Sequence, residues 1–104
     1  MFGRDDPSYR YLDEQAVADA CCEYVADIRR CAPEDVDVEL MYHPRDGFSA
    51  GIRINGYSEP PLSEKDLVDA VADFVSNRER VAPRQVTVNL QFDERAGIYA
   101  DVSI

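Results

Sequence analysis

Three cysteines, one histidine and two rows of carboxylates are the groups in this chain whose types and spacing invite chemistry. Cys21, Cys22 and Cys31 lack the Cys-x-x-Cys spacing of a redox or metal pair. Ten residues along a continuous helix span about 15 Å, at ~1.5 Å per residue. Cys21 and Cys31 are then too far apart to bridge. Cys22 lies beside Asp19 and Glu23, which raise a thiol's pKa and weaken it as a nucleophile. His43 is the sole histidine. With its repeat counterpart Asp93, also at a strand end beside a hairpin loop, it has the makings of an acid–base or metal-binding pair, but the nearby chain offers no second histidine and no positioned nucleophile. No Gly-x-Gly-x-x-Gly, phosphate loop or Gly-x-Ser-x-Gly is present.

The carboxylates say more. Asp19, Glu23 and Asp27 stand at i, i+4 and i+8, and so share one face if the segment is helical. Asp69 and Asp73 repeat the first two positions, with Asn77 third. Like charges so spaced cost about 0.2–0.5 kcal/mol per pair in a helix. A row kept twice despite that cost marks Asp19, Glu23, Asp27, Asp69 and Asp73 as a candidate interaction surface. No residue reads as catalytic, metal-ligating or cofactor-binding, and no cofactor is expected.

The elements that position these groups come from a duplication. Sliding the 104-residue chain by 50 residues pairs Leu12–Ile54 with Leu62–Ile104 without a gap, and 15 of the 43 pairs are identical. Each copy opens with a helix. Asp13 and Ser63 are the expected caps, with Asp66 completing a weak capping box. Val17, Ala20, Cys21, Tyr24, Ile28 and Cys31 form one apolar stripe; Leu67, Ala70, Val71, Phe74 and Val81 form the other. Pro33 and Pro83 are expected to end the helices. Cys21 and Cys31 match Val71 and Val81, so they read as small core residues.

Two strands follow in each copy. Val36, Val38, Leu40 and Tyr42 alternate with polar residues, as do Val86, Val88, Leu90 and Phe92. Gly47 and Gly97 close short hairpin loops. The order αββαββ predicts an α+β fold: a four-stranded antiparallel sheet with both helices on one face and the return strands central. It would be ferredoxin-like in circularly permuted order, or a close relative. Residues 55–61 read as the linker between copies, residues 12–104 as one pseudo-symmetric domain, and residues 1–11 as an N-terminal arm. Asp37 and Glu39 guard the first hairpin's edge better than Thr87, Asn89 and Gln91 guard the second, so the second is the expected self-contact.

The stretch Pro33–Tyr42 followed by Asp46-Gly47-Phe48-Ser49-Ala50, together with the helix openings Leu12-Asp13-Glu14-Gln15 and Leu62-Ser63-Glu64-Lys65-Asp66, resembles the YxcD-like family of small proteins from Bacillus-type bacteria. These motifs are caps, strand alternation and a hairpin glycine. The resemblance implies this fold and a bacterial cytoplasmic setting, and it carries over no site.

Charge bounds the partners. The 21 acidic and 11 basic residues give a net charge of −10, which opposes direct binding to nucleic acid or to an anionic membrane. No secretory signal or transmembrane run is read. The expectation is a cytoplasmic, non-enzymatic module that binds a protein partner or a second copy of itself. The alternatives are an inhibitor that mimics nucleic-acid charge, and a small-ligand or enzymatic role on the open sheet face.

Overall fold

The computed structural model describes residues 9–104. Helix α1 (Glu14–Arg29) starts where the Asp13 carboxylate accepts the Ala16 N–H at 2.9 Å. Helix α2 (Glu64–Glu79) starts with a reciprocal capping box between Ser63 and Asp66. Both satisfy N–H groups that a helix start leaves without partners. The helices stop earlier than expected, at Arg30 and Arg80, which adopt left-handed φ of 56° and 59°. Pro33 and Pro83 do not end them; they open the short 3-10 turns Pro33–Asp35 and Pro83–Gln85, where their missing N–H costs nothing.

The strands are β1 (Tyr9–Leu12), β2 (Val36–His43), β3 (Gly47–Ile54), β4 (Tyr57–Leu62), β5 (Thr87–Asp93) and β6 (Gly97–Ser103). They form two three-stranded antiparallel sheets, ordered β2-β3-β4 and β1-β6-β5, in place of the single four-stranded sheet expected. The reason lies in two stretches that the hydrophobic pattern undervalued. Residues 57–62, all but Leu62 read as linker, form β4 and take the second edge of β3. Residues 9–12, mostly read as arm, form β1 and take the second edge of β6. The return strands β3 and β6 are therefore central, but each in its own sheet. Residues 1–8 of the expected arm lie outside the described residues. No backbone hydrogen bond joins β2 to β5 among the described residues; they meet through the stacked rings of Tyr42 and Phe92, 4.8 Å apart.

The repeat unit is thus βαββ, and the halves exchange their leading strands. β1 precedes α1 but pairs with the second hairpin; β4 precedes α2 but pairs with the first. The core obeys the same exchange. One cluster joins Cys21, Val25, Ala50 and Ile52 of the first copy to Leu67 and Ala70 of the second. The other joins Val71, Val75, Ala100 and Val102 to Leu12, Val17 and Ala20. These residues are at most 6% exposed, and apart from Leu12, whose counterpart Leu62 is only partly buried against the first cluster, the two sets are each other's images under the 50-residue shift.

Polar contacts repeat the pattern. Glu64 at the start of α2 accepts the Phe48 N–H of the first hairpin at 3.1 Å, and Glu14 accepts the Ile98 N–H of the second at 3.3 Å. The neighbouring glycines Gly47 and Gly97 have φ of 83° and 77°, and a Cβ on Gly97 would lie 2.7 Å from the Glu14 carboxylate oxygens. Each helix end also pairs with the other half's leading strand. Arg29 meets Glu59 of β4 at 2.6 Å, and Glu79 meets Arg10 of β1 at 2.8 Å, with the signs reversed between the two sites.

Gly97→Ala is expected to lower the unfolding free energy by roughly 2 kcal/mol, combining about 1 kcal/mol for the left-handed backbone with the loss of a hydrogen bond. Glu14→Gln should cost less than half of that. Urea unfolding of both variants checks the order, and an unchanged midpoint for Gly97→Ala would count against the contact.

Candidate functional site

α1 and α2 pack across one another, and Ala20 of α1 and Ala70 of α2, each 1% exposed, line the groove between them. A groove of about 210 Å³ follows the crossing, lined by Glu23, Tyr24, Asp27, Asp73, Phe74 and Asn77 beside the alanines. Glu23, Asp27 and Asp73, three of the five singled out in the sequence, therefore come from different helices into one depression. Asp19 and Asp69 lie outside its lining. Asp19 accepts from Gln15 Nε2 at 2.9 Å, and Asp69 pairs with Lys65 at 2.8 Å.

The groove is under-neutralised. Arg78 pairs with Glu23 at 3.1 Å, but no cation pairs with Asp27 or Asp73 among the described residues. The Asp73 carboxyl is held above its usual range, chiefly by burial and then by Asp69 and Asp27. The Tyr24 phenol is raised by burial, and further by Asp66, Asp69 and Asp73, with Lys65 opposing.

The groove's two ends differ. At one, the Arg78 guanidinium lies 3.6 Å from the Phe74 ring centre while holding Glu23. At the other, Ile28 replaces the arginine and is 60% exposed, against the core position read for it in the sequence. Beside Ile28 opens a hollow of about 220 Å³ walled by Tyr24, Val25, Ile52, Pro60, Pro61 and Leu62. The prolines belong to β4, an edge strand, where a missing N–H is tolerated and the register with β3 slips.

The remaining candidates serve the scaffold. Cys21 is fully buried, and burial pushes its thiol up to about 12. Cys22 is half-buried, donates to the Val36 carbonyl at 3.6 Å and is raised by burial and then by Asp19, Asp37 and Glu23. Cys31 is half-buried against the first cluster. His43 Nδ1 accepts the Arg45 N–H at 3.1 Å; its counterpart Asp93 accepts the Arg95 and Ala96 N–H groups at 3.0 and 2.8 Å. Both side chains tie a hairpin turn. Among the described residues no three His, Cys, Asp or Glu side chains form a metal-binding group, and no helix is long and apolar enough to cross a membrane.

The outer sheet face holds a patch in which two tyrosines read as arm join Tyr99 and Asp101, residues whose place on that face the strand alternation predicts. Tyr9 donates to Asp101 at 2.6 Å, and the Tyr11 and Tyr99 rings lie 5.4 Å apart. Alternation in Tyr9-Arg10-Tyr11-Leu12 was the available signal, but four residues are a short run to set against an arm.

A thiol reagent is expected to modify Cys31 first, Cys22 more slowly and Cys21 only on unfolding, which mass spectrometry of the labelled peptides resolves. For Asp73 the raised carboxyl pKa means that the folded state holds the proton more tightly than the unfolded one. Stability should then fall as pH rises from the ordinary carboxylate value through the raised one. Asp73→Asn should flatten that part of the profile and raise the melting temperature at neutral pH.

Comparison with known proteins adds kinship. No curated protein and no solved structure matches the chain. One family model, described as "Protein of unknown function (DUF2653)", matches at residues 9–61 and again at 59–104. The two matches start 50 residues apart, at β1 and within β4, which is the βαββ unit of the structure. Covered twice in this way, the chain belongs to the DUF2653 family.

Proposed function

We propose that the protein is a non-enzymatic interaction module whose helix face receives a basic partner protein. The observation that carries this is the groove at the α1–α2 crossing, where carboxylates of both helices converge and Asp27 and Asp73 have no counter-cation among the described residues. Such a surface raises the local concentration of cationic partners and speeds their encounter. The hollow beside Ile28 adds apolar area, which charge alone does not supply. The same reading takes the protein as a cytoplasmic bacterial one of YxcD-like kind, on its helix openings and hairpin motifs.

Self-association is a second reading, favoured by one observation. The exposed Thr87, Asn89 and Gln91 of the β5 edge carry no charge to repel another chain, whereas β2 presents Asp37 and Glu39. A monomer in sedimentation at high concentration would remove it.

For the main reading, binding to immobilised polylysine is expected to weaken steeply towards about 1 M salt, where the Debye length is about 3 Å. The paired substitution Asp27→Lys with Asp73→Lys should weaken it far more than Asp46→Lys with Glu94→Lys on the hairpin loops. Equal loss from both pairs would mean that only net charge matters, and the helix face would lose its claim.

A further inference from the structure

The internal symmetry shows what the open end of the groove lacks. At one end of the groove the ring of Phe74, from the second half, and the carboxylate of Glu23, from the first, receive the planar guanidinium of Arg78, which sits 3.6 Å from the ring centre and 3.1 Å from the acid. Under the 50-residue shift Phe74 becomes Tyr24, Glu23 becomes Asp73 and Arg78 becomes Ile28. The ring and the acid are kept; the cation is not. Tyr24 and Asp73 line the same groove, and Asp73 has no cationic partner among the described residues. Next to them Ile28, Pro60, Pro61 and Leu62 border the apolar hollow. The cation nearest in the sequence of this wall, Arg29, is spent on Glu59 at 2.6 Å.

We propose that the corner formed by Tyr24, Asp73 and the hollow beside Ile28 binds an arginine side chain of a partner protein. This rests on the helix-face reading and narrows it to one chemical group. The guanidinium lies flat on the Tyr24 ring with its N–H donors towards Asp73, as Arg78 lies on Phe74 towards Glu23. Its aliphatic stem covers Ile28, and the apolar residue beside it in the partner enters the hollow. Arginine fits better than lysine because a planar, weakly hydrated cation can stack and donate at once, whereas an ammonium is a compact and strongly hydrated charge. The surroundings favour a cation: Asp66, Asp69 and Asp73 all act on Tyr24, with Lys65 alone opposing them.

The test is an NMR titration of the full chain with two blocked peptides, acetyl-Leu-Arg-Leu-amide and acetyl-Leu-Lys-Leu-amide. The arginine peptide should shift the amides around Tyr24, Ile28 and Asp73 and leave those around Phe74 and Arg78 in place. The lysine peptide should bind about threefold or more weakly, the ratio expected for an exposed cation–π contact. Ile28→Arg should fill the corner from within, as Arg78 does in the other half, and abolish the shifts. Asp73→Asn, which keeps the side chain's size, should weaken the arginine peptide by at least about threefold. Equal affinity of the two peptides, or undiminished binding to Ile28→Arg, overturns the arginine corner while the helix-face reading stands. Shifts confined to the sheets, or none on either helix, count against both.

Discussion

Everything in this molecule depends on the exchange of leading strands between its halves. A βαββ unit by itself would leave its return strand with one open edge and its helix half covered. The exchange fills both deficits at once: β1 closes the edge of β6, β4 closes that of β3, and each helix spans the two clusters. Neither half owns a complete core. The apolar burial that stabilises one half is the same burial that stabilises the other, so the halves should unfold together. The glutamates that hold the opposite hairpins, and the ion pairs at the helix ends, tighten an arrangement that burial already dictates.

Against that symmetric frame the differences between the copies gain meaning. Ser76 replaces Ala26, is buried, and spends its hydroxyl on the Val81 carbonyl, which keeps the difference structural. His43 and Asp93 differ in kind yet accept the same turn N–H. Ile28 and Arg78 are another matter, because their exchange changes what a surface can receive rather than how a backbone is held. Frame and surface are thus under separate control in one small chain.

Much of this was legible in the residues. The duplication, both caps, both hairpins and their glycines follow from local rules: side chains that compete for end N–H groups, period-two burial, and positive φ. The sheet count was not legible, because strand partners depend on which edge is closest in space, and β1 and β4 are short. Prolines at 60 and 61 argued against a strand and were tolerated only because β4 lies at an edge. In the candidate surface, helical spacing found the acidic rows, but it could not say that Glu23, Asp27 and Asp73 converge while Asp19 and Asp69 stay outside. That depends on how the helices cross. Ile28 was misplaced for a related reason: near the end of α1 it lines the rim of the open hollow against β3 and β4 and is left exposed.

The reversed signs of the two helix-end ion pairs bear on the history of the gene. Recombination between its two halves could readily produce chains made of two first halves or two second halves. A chain of two first halves would set Arg10 against a second copy of Arg29, and one of two second halves would set Glu59 against a second copy of Glu79. Each would turn both favourable pairs into repulsive contacts, a swing on the order of 1 kcal/mol in a protein of ordinary marginal stability. The two halves have therefore become complementary rather than interchangeable, and what arose as a copy can no longer be replaced by one without loss.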